Sequence, residues 1–175
     1  MCIRDRNDYF DYKSGLDQAT RRTPFSGGSG VLTARLMSPK AVLWFGIICF
    51  ILAIPIGVYF VLVKGWLLLP LIAVGAIFVL LYTPYITKIG WPELAAGLGL
   101  GTLPVLGAYF VQSGEYNLAA VMASVPSGFL VHNLLFLNEF PDYEADKKAG
   151  RRTLPIILGK AEASMFYSFM TAAVY

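Results

Sequence analysis

The chain of 175 residues is strongly apolar, with 57% hydrophobic and 14% charged residues. Soluble domains carry about a quarter charged residues, so this composition excludes a soluble enzyme and a disordered chain. A net charge of +3 also argues against a nucleic-acid reader. The two cysteines, Cys2 and Cys49, provide neither a disulfide scaffold nor a zinc-binding spacing. The sequence therefore predicts a membrane protein.

Four stretches that lack Asp, Glu, Lys and Arg are each long enough to cross a bilayer as a helix, which takes about 20 residues. They cover residues 41–63, 65–87, 94–114 and 116–138, and a shorter apolar stretch covers residues 163–175. Alternation of apolar and polar residues with a period of two is absent. The predicted fold class is all-α: a multi-pass transmembrane helical bundle with four complete spans and partial helices at both ends.

Basic residues are distributed unevenly between the predicted loops. Seven precede the first span, Lys88 follows the second, and five lie between Lys147 and Lys160. If successive helices alternate in direction, 13 of the 14 basic residues share one side, and Lys64 is alone on the other. The positive-inside rule makes the basic side cytoplasmic.

Acidic residues form two clusters on that same side. The first follows Asn7 and contains Asp8, Asp11 and Asp17, while the second follows Asn138 and contains Glu139, Asp142, Glu144 and Asp146. A charged surface loop surrounded by water and salt is the ordinary alternative. Each cluster, however, lies where an apolar span meets its loop, and carboxylates at that depth usually mark a functional site.

Carboxylates without sulfur or imidazole ligands favour Mg²⁺, which binds through one or two carboxylates together with substrate phosphates. Neighbouring basic side chains would hold phosphate oxygens; they are Lys13, Arg21, Arg22, Lys147, Lys148, Arg151 and Arg152. Because the bundle is apolar, the two clusters predict a site for Mg²⁺ and a lipid-tailed diphosphate such as a prenyl diphosphate. A cation-coupled transporter is the less favoured alternative, since the acids lie at one membrane face rather than mid-span.

These clusters resemble the two Asp-rich motifs of the UbiA superfamily of intramembrane aromatic prenyltransferases. The matching segments read NDYFDYKSGLD and DYEADKKAGRRTLPIILG. The resemblance implies that Asp8, Asp11, Asp142 and Asp146 are the catalytic, metal-binding residues, and that the substrates are a polyprenyl diphosphate and an aromatic acceptor. Many family members carry a third Asp at the position of Gly15, where this chain offers Asp17 instead.

The segment YTPYITKIGWPELAAG resembles the family's cytoplasmic Tyr/Lys loop, which implies that Tyr82 or Tyr85, together with Lys88, faces the diphosphate. The segment PFSGGSG would belong to the cap over the active site. The other expected substrate-binding residues are Asn7, Lys13, Asp17, Asn138, Glu139, Lys147, Arg151 and Arg152.

The segments around Gln112 and Asn138 look most like the branch that prenylates 1,4-dihydroxy-2-naphthoate on the way to menaquinone. Other acceptors used on the same scaffold, namely 4-hydroxybenzoate, homogentisate and tetrapyrroles, stay open. His132 lies inside a span and either assists the deprotonation of a phenolic acceptor or packs against a neighbouring helix, and packing is the more frequent role.

The family has nine spanning helices, so the resemblance implies a single membrane-embedded prenyltransferase domain, residues 1–175, truncated at both ends. Residues 1–40 would hold the first Asp motif and the cap loop, and residues 41–138 the four spans. Residues 139–162 would form the loop with the second Asp motif, and residues 163–175 part of a further span.

Overall fold

The computed structural model describes residues 8–13, 15 and 29–174, and within them the chain forms seven helices and no strand. Four of the helices are long and apolar enough to span a membrane, which confirms the predicted fold class. We number the helices as follows: α1 (residues 8–13), α2 (Pro39–Lys64), α3 (Trp66–Ile89), α4 (Pro92–Ser113), α5 (Leu118–Lys148), α6 (Leu154–Leu158) and α7 (Lys160–Ala172).

Helices α2 and α3 keep most of their apolar side chains on the surface. Leu62 is 79% exposed and Trp66 is 73% exposed. Such a surface suits a bilayer, where lipid tails cover the side chains and the helix satisfies its own backbone hydrogen bonds. These two helices therefore form the lipid-facing part of the described bundle.

Helix α5 extends ten residues beyond the predicted end of its span, from Asn138 to Lys148. Residues 144–148 include Ala, Glu and Lys, which are good helix formers, and Glu144 and Lys148 have the four-residue spacing that favours a helix. The helix ends before Gly150, which adopts a left-handed φ of 73°. The second Asp motif is thus helical and not a loop as its predicted bounds suggested.

The segment predicted as a Tyr/Lys loop is also helical. A π-helical turn covers Tyr82–Ile86, and α3 continues to Ile89. The wider turn accommodates Pro84, which has no backbone N–H to donate. Only Gly90, with a φ of 96°, and Trp91 separate α3 from α4, so the connection is much shorter than predicted.

Helices α4 and α5 approach each other so closely that only glycine fits at the contact. A Cβ at Gly101 would lie 2.5 Å from the Ser127 carbonyl oxygen and 2.7 Å from the Gly128 Cα. A Cβ at Gly97 would lie 2.8 Å from the Gly128 carbonyl oxygen. Gly97 and Gly101, four residues apart, therefore allow the close packing of α4 against α5.

Gly101→Ala should therefore lower the thermal stability of the detergent-purified full-length protein. The new methyl group meets backbone atoms that cannot move aside, and overpacking of this kind costs about 1–3 kcal/mol. Gly107→Ala on the same helix is the matched control, since nothing lies within 4 Å of its Cβ. Equal melting temperatures for the two variants would contradict the close contact.

Candidate functional site

The two Asp motifs meet at one end of the bundle through Arg151. Its Nη1 donates to Asp146 Oδ1 at 3.3 Å, and its Nη2 donates to Asp11 Oδ1. Asp11 lies on α1 and Asp146 on the last turn of α5, and both are buried. Burial lowers the pKa of Arg151, but the carboxylates of Asp11 and Asp146 raise it by more than burial lowers it. The pKa of Arg151 therefore lies above its usual value. Arg151 is therefore a permanent cation between two buried acids.

The other two motif carboxylates lie around this bridge. Asp8 is buried one helical turn before Asp11 and accepts a hydrogen bond from Ser29 Oγ. Asp142 is half-buried and lies within electrostatic range of Asp146. Ser29 belongs to the predicted glycine-rich cap segment, whose other residues, apart from Gly30, lie outside the described part of the chain.

A second pair of buried acids, Glu93 and Glu139, lies beside the bridge. Glu93 is 1% exposed at the start of α4, and its side chain is close enough to Glu139 on α5 to interact electrostatically. The Glu93 carboxylate also accepts the backbone N–H of Leu154. Sequence reasoning proposed Glu139 but missed Glu93; the available signal was a single carboxylate next to a proline at the start of an apolar span.

The loop from α5 to α6, residues 149–153, is held on both sides. The Arg151 N–H donates to the Asp146 carbonyl at 3.0 Å, and the Arg152 N–H donates to the Thr87 carbonyl at 2.8 Å. With the Leu154 bond, these contacts connect the loop to the ends of α5, α3 and α4. The position of the Arg151 side chain is thus set by three helices.

The two candidate tyrosines differ in their surroundings. Tyr82 is half-buried and interacts electrostatically with the charged groups of the site, which are Glu139, Arg151, Glu93 and Asp11. Tyr85, by contrast, is 63% exposed. Tyr82 is therefore the tyrosine that lies beside the buried acids.

The remaining expected residues are less buried or are not described. Asn138 is half-buried, and the exposed basic side chains near the site are Lys13, Lys88, Lys147 and Arg152. Asn7 and Asp17 lie outside the described residues. The structure therefore concentrates the buried part of the site on the two Asp motifs, Tyr82, the two glutamates and Arg151.

His132 is buried on α5, where its Nδ1 lies 3.2 Å from Asn133 Oδ1 and its ring packs edge-on against Phe136. Fourteen residues of helix separate it from Asp146, about 21 Å at 1.5 Å per residue. His132 also lines an apolar cavity between α4, α5 and α7. Its contacts with Asn133 and Phe136 fit the packing role, and a role beside an acceptor stays a prediction.

A cavity of about 360 Å³ extends from Gly90 and Glu93 to Thr102 between α4, α5 and α7. Its walls are mostly apolar and include Leu98, Phe129 and Phe166. Leu154, whose N–H bonds to Glu93, lies at the end of the cavity nearest the α5–α6 loop. The buried acids and the apolar cavity are therefore adjacent.

No group of three or more His, Cys, Asp or Glu residues with metal-binding geometry occurs in the described part of the chain. Mg²⁺ does not require one, since it commonly binds one or two carboxylates and completes its shell with phosphate and water. Asp11 and Asp146 already converge on one cation, Arg151. Two buried oxygens nearby, Glu139 Oε2 and Thr153 Oγ1, have no hydrogen-bond partner among the described residues. The residues present fit a hydrated cation together with an anionic ligand.

Comparison with known proteins identifies the scaffold. The profile of the UbiA prenyltransferase family matches residues 2–175. The 1,4-dihydroxy-2-naphthoate octaprenyltransferase of Bacillus subtilis is 32% identical over 172 residues, covering 97% of this chain and 54% of the relative. The protein of the same name from Mycobacterium tuberculosis is 30% identical over 174 residues, covering 95% of this chain and 56% of the relative.

A digeranylgeranylglyceryl phosphate synthase of Pyrococcus horikoshii is 30% identical over 168 residues, covering 93% of this chain and 53% of the relative. No solved structure gives a significant match. The chain spans about half the length of these relatives. With its family profile matched over almost the whole chain, its apolar helical bundle and its paired Asp motifs, the protein belongs to the UbiA prenyltransferase family.

Proposed function

We propose that this protein is part of an integral-membrane prenyltransferase that moves a polyprenyl group from its diphosphate to an aromatic acceptor. The observation that carries the proposal is the convergence of Asp11 and Asp146 on the Arg151 guanidinium. These acids are 135 residues apart in sequence, and each belongs to a different Asp motif. Buried carboxylates gathered around a cation suit the binding of a metal–diphosphate complex.

Mg²⁺ is the proposed metal, held by carboxylates of the two motifs: Asp8, Asp11, Asp142 and Asp146. When bound, it offsets the negative charge that develops on the leaving diphosphate. Glu139 Oε2, buried without a hydrogen-bond partner among the described residues, would accept a hydrogen bond from a metal-bound water.

Several residues of this chain would bind the diphosphate itself. Arg151 is already at the carboxylates, and the exposed side chains of Lys88 and Arg152 lie at the same end of the bundle. Ionised donors of this kind form the stronger class of hydrogen bonds to phosphate oxygens. The Thr153 hydroxyl, buried next to Arg152, is a further donor.

The apolar cavity beside the site is the proposed position of the first part of the prenyl chain. It follows α4 from Glu93 to Thr102, about 14 Å of helix. An elongated cavity with apolar walls suits an isoprenoid chain better than a compact aromatic ring. It also keeps water away from the carbon that becomes cationic when the bond to the diphosphate breaks.

For the acceptor we propose 1,4-dihydroxy-2-naphthoate, which would place the enzyme in menaquinone biosynthesis. The support is that both naphthoate octaprenyltransferases match more than nine-tenths of this chain. The digeranylgeranylglyceryl phosphate synthase matches at similar identity, so the identity of the acceptor has to be measured. A panel of aromatic acceptors offered to membranes that contain the full-length protein would decide it.

The proposed orientation places the Asp motifs in the cytoplasm, because nearly all basic residues share their side. The test uses a protein in which Cys2 and Cys49 are replaced by serine. In intact cells, Lys148→Cys in this background, at the exposed end of α5, should then resist an impermeant thiol reagent. Glu115→Cys, in the exposed loop at the opposite end of α5, is the control and should react readily. The reverse labelling pattern would contradict the orientation.

Binding of a non-hydrolysable prenyl diphosphate analogue should require Mg²⁺ and should be lost in EDTA. Asp11→Asn or Asp146→Asn should weaken it about 10- to 100-fold, because hydrogen bonds and contacts to ionised groups contribute about 1.5–3 kcal/mol. Glu144→Gln removes an exposed acid from the same helix and should bind normally. Tight binding in EDTA, or equal affinities for all three variants, would refute the metal–diphosphate site.

The position of the prenyl chain can be tested by filling the cavity. Leu98→Trp should weaken binding of the prenyl analogue but leave binding of inorganic diphosphate unchanged, because only the chain enters the cavity. Leu100→Trp is the control, since Leu100 is an exposed residue of the same helix outside the cavity wall. An unchanged affinity of the Leu98 variant for the prenyl analogue would place the chain elsewhere.

A further inference from the structure

We infer that Glu93 is a positioning residue: it holds the α5–α6 loop so that Arg151 and Arg152 face the diphosphate. The inference rests on the proposed function for its consequence in binding. The contact from which it starts does not depend on that function, because it is a hydrogen bond between a buried carboxylate and a backbone N–H 61 residues away.

The position of Glu93 suits a fixed acceptor. The residue lies in the first turn of α4, next to Pro92, and is 1% exposed. Its carboxylate accepts the N–H of Leu154, which directly follows the loop that carries the two arginines. Without the Glu93 carboxylate this N–H would lose its acceptor, so the loop is favoured in the position that makes the bond.

Glu139 lies on the opposite side of Glu93. The two side chains are close enough to interact electrostatically, on helices that glycines bring into close contact. Glu93 therefore lies between α5 and the backbone of the α5–α6 loop.

The bond has consequences at Arg151 and Arg152, three and two residues before Leu154. Arg151 must reach Asp11 and Asp146 together, and Arg152 is fixed by its own N–H at the Thr87 carbonyl. If the Leu154 end of the loop is released, the backbone that carries Arg151 and Arg152 is no longer fixed, and their guanidinium groups can move. Displacements of about 1 Å are enough to lower activity about 100-fold at a preorganised site.

Two measurements on the full-length protein test this role. In hydrogen–deuterium exchange, Glu93→Ala should accelerate exchange at the Leu154 amide at least tenfold. Binding of the non-hydrolysable prenyl diphosphate analogue with Mg²⁺ should weaken at least tenfold in the same variant. Glu93→Gln retains an oxygen acceptor for Leu154 and an amide donor for Glu139, so both values should return towards wild type.

Phe110→Ala is the matched control for a loss of stability alone. Phe110 is 1% exposed near the far end of α4 and stacks on Tyr116, away from the Leu154 bond and the cavity wall, so the folded fraction of this variant should bind the analogue with wild-type affinity. If Glu93→Ala shows wild-type exchange at Leu154, or binds like Phe110→Ala, the positioning role is overturned. If Glu93→Ala does not fold, failure of Glu93→Gln to retain wild-type exchange overturns it equally.

The outcomes also separate this role from the proposed function. If the wild-type protein does not bind the analogue, the diphosphate site fails, and the exchange result alone then supports or overturns the attachment of the loop. If the wild type binds the analogue and both Glu93 variants bind it as tightly as the wild type does, the diphosphate site stands and the positioning role fails.

Discussion

The site depends on one requirement: buried carboxylates from two distant segments must share a cation. Asp11 and Asp146 are almost fully buried, and without compensation their charges would repel each other and lose hydration. Arg151 meets this requirement within the chain. It thereby attaches the short helix α1 to the end of α5, so the contact between the two Asp motifs also stabilises the fold.

Close contact between α4 and α5 brings the second acid pair together. Gly97 and Gly101 allow the α5 backbone at Gly128 to approach α4. Because the two helices run in opposite directions, the position one turn before Gly97 faces α5 closer to its carboxyl end. There Glu93 meets Glu139. Glycines deep in the membrane therefore determine which acids are neighbours at its surface.

The sequence was sufficient to predict what composition and hydropathy control: the four spans and the two acidic clusters. It placed the ends of α3 and α5 wrongly, because charged and proline-containing segments suggested loops where the helices continue. Glu93 was missed because its role arises from a backbone N–H 61 residues away, which no local pattern reveals. Tyr82 and Tyr85 likewise differ only in the fold, which leaves Tyr85 63% exposed and Tyr82 half-buried beside the charged groups.

The extended α5 explains how a site at the membrane surface can be precise. Gly128, His132, Glu139 and Asp146 lie on one buried stripe of a single helix, and about 27 Å separates the first from the last. Packing between the helices therefore sets the position of the Asp146 carboxylate directly, without an intervening loop. Arg151, by contrast, lies on a loop held by hydrogen bonds. In this arrangement helices fix the acids, and backbone hydrogen bonds of the loop hold the cation between them.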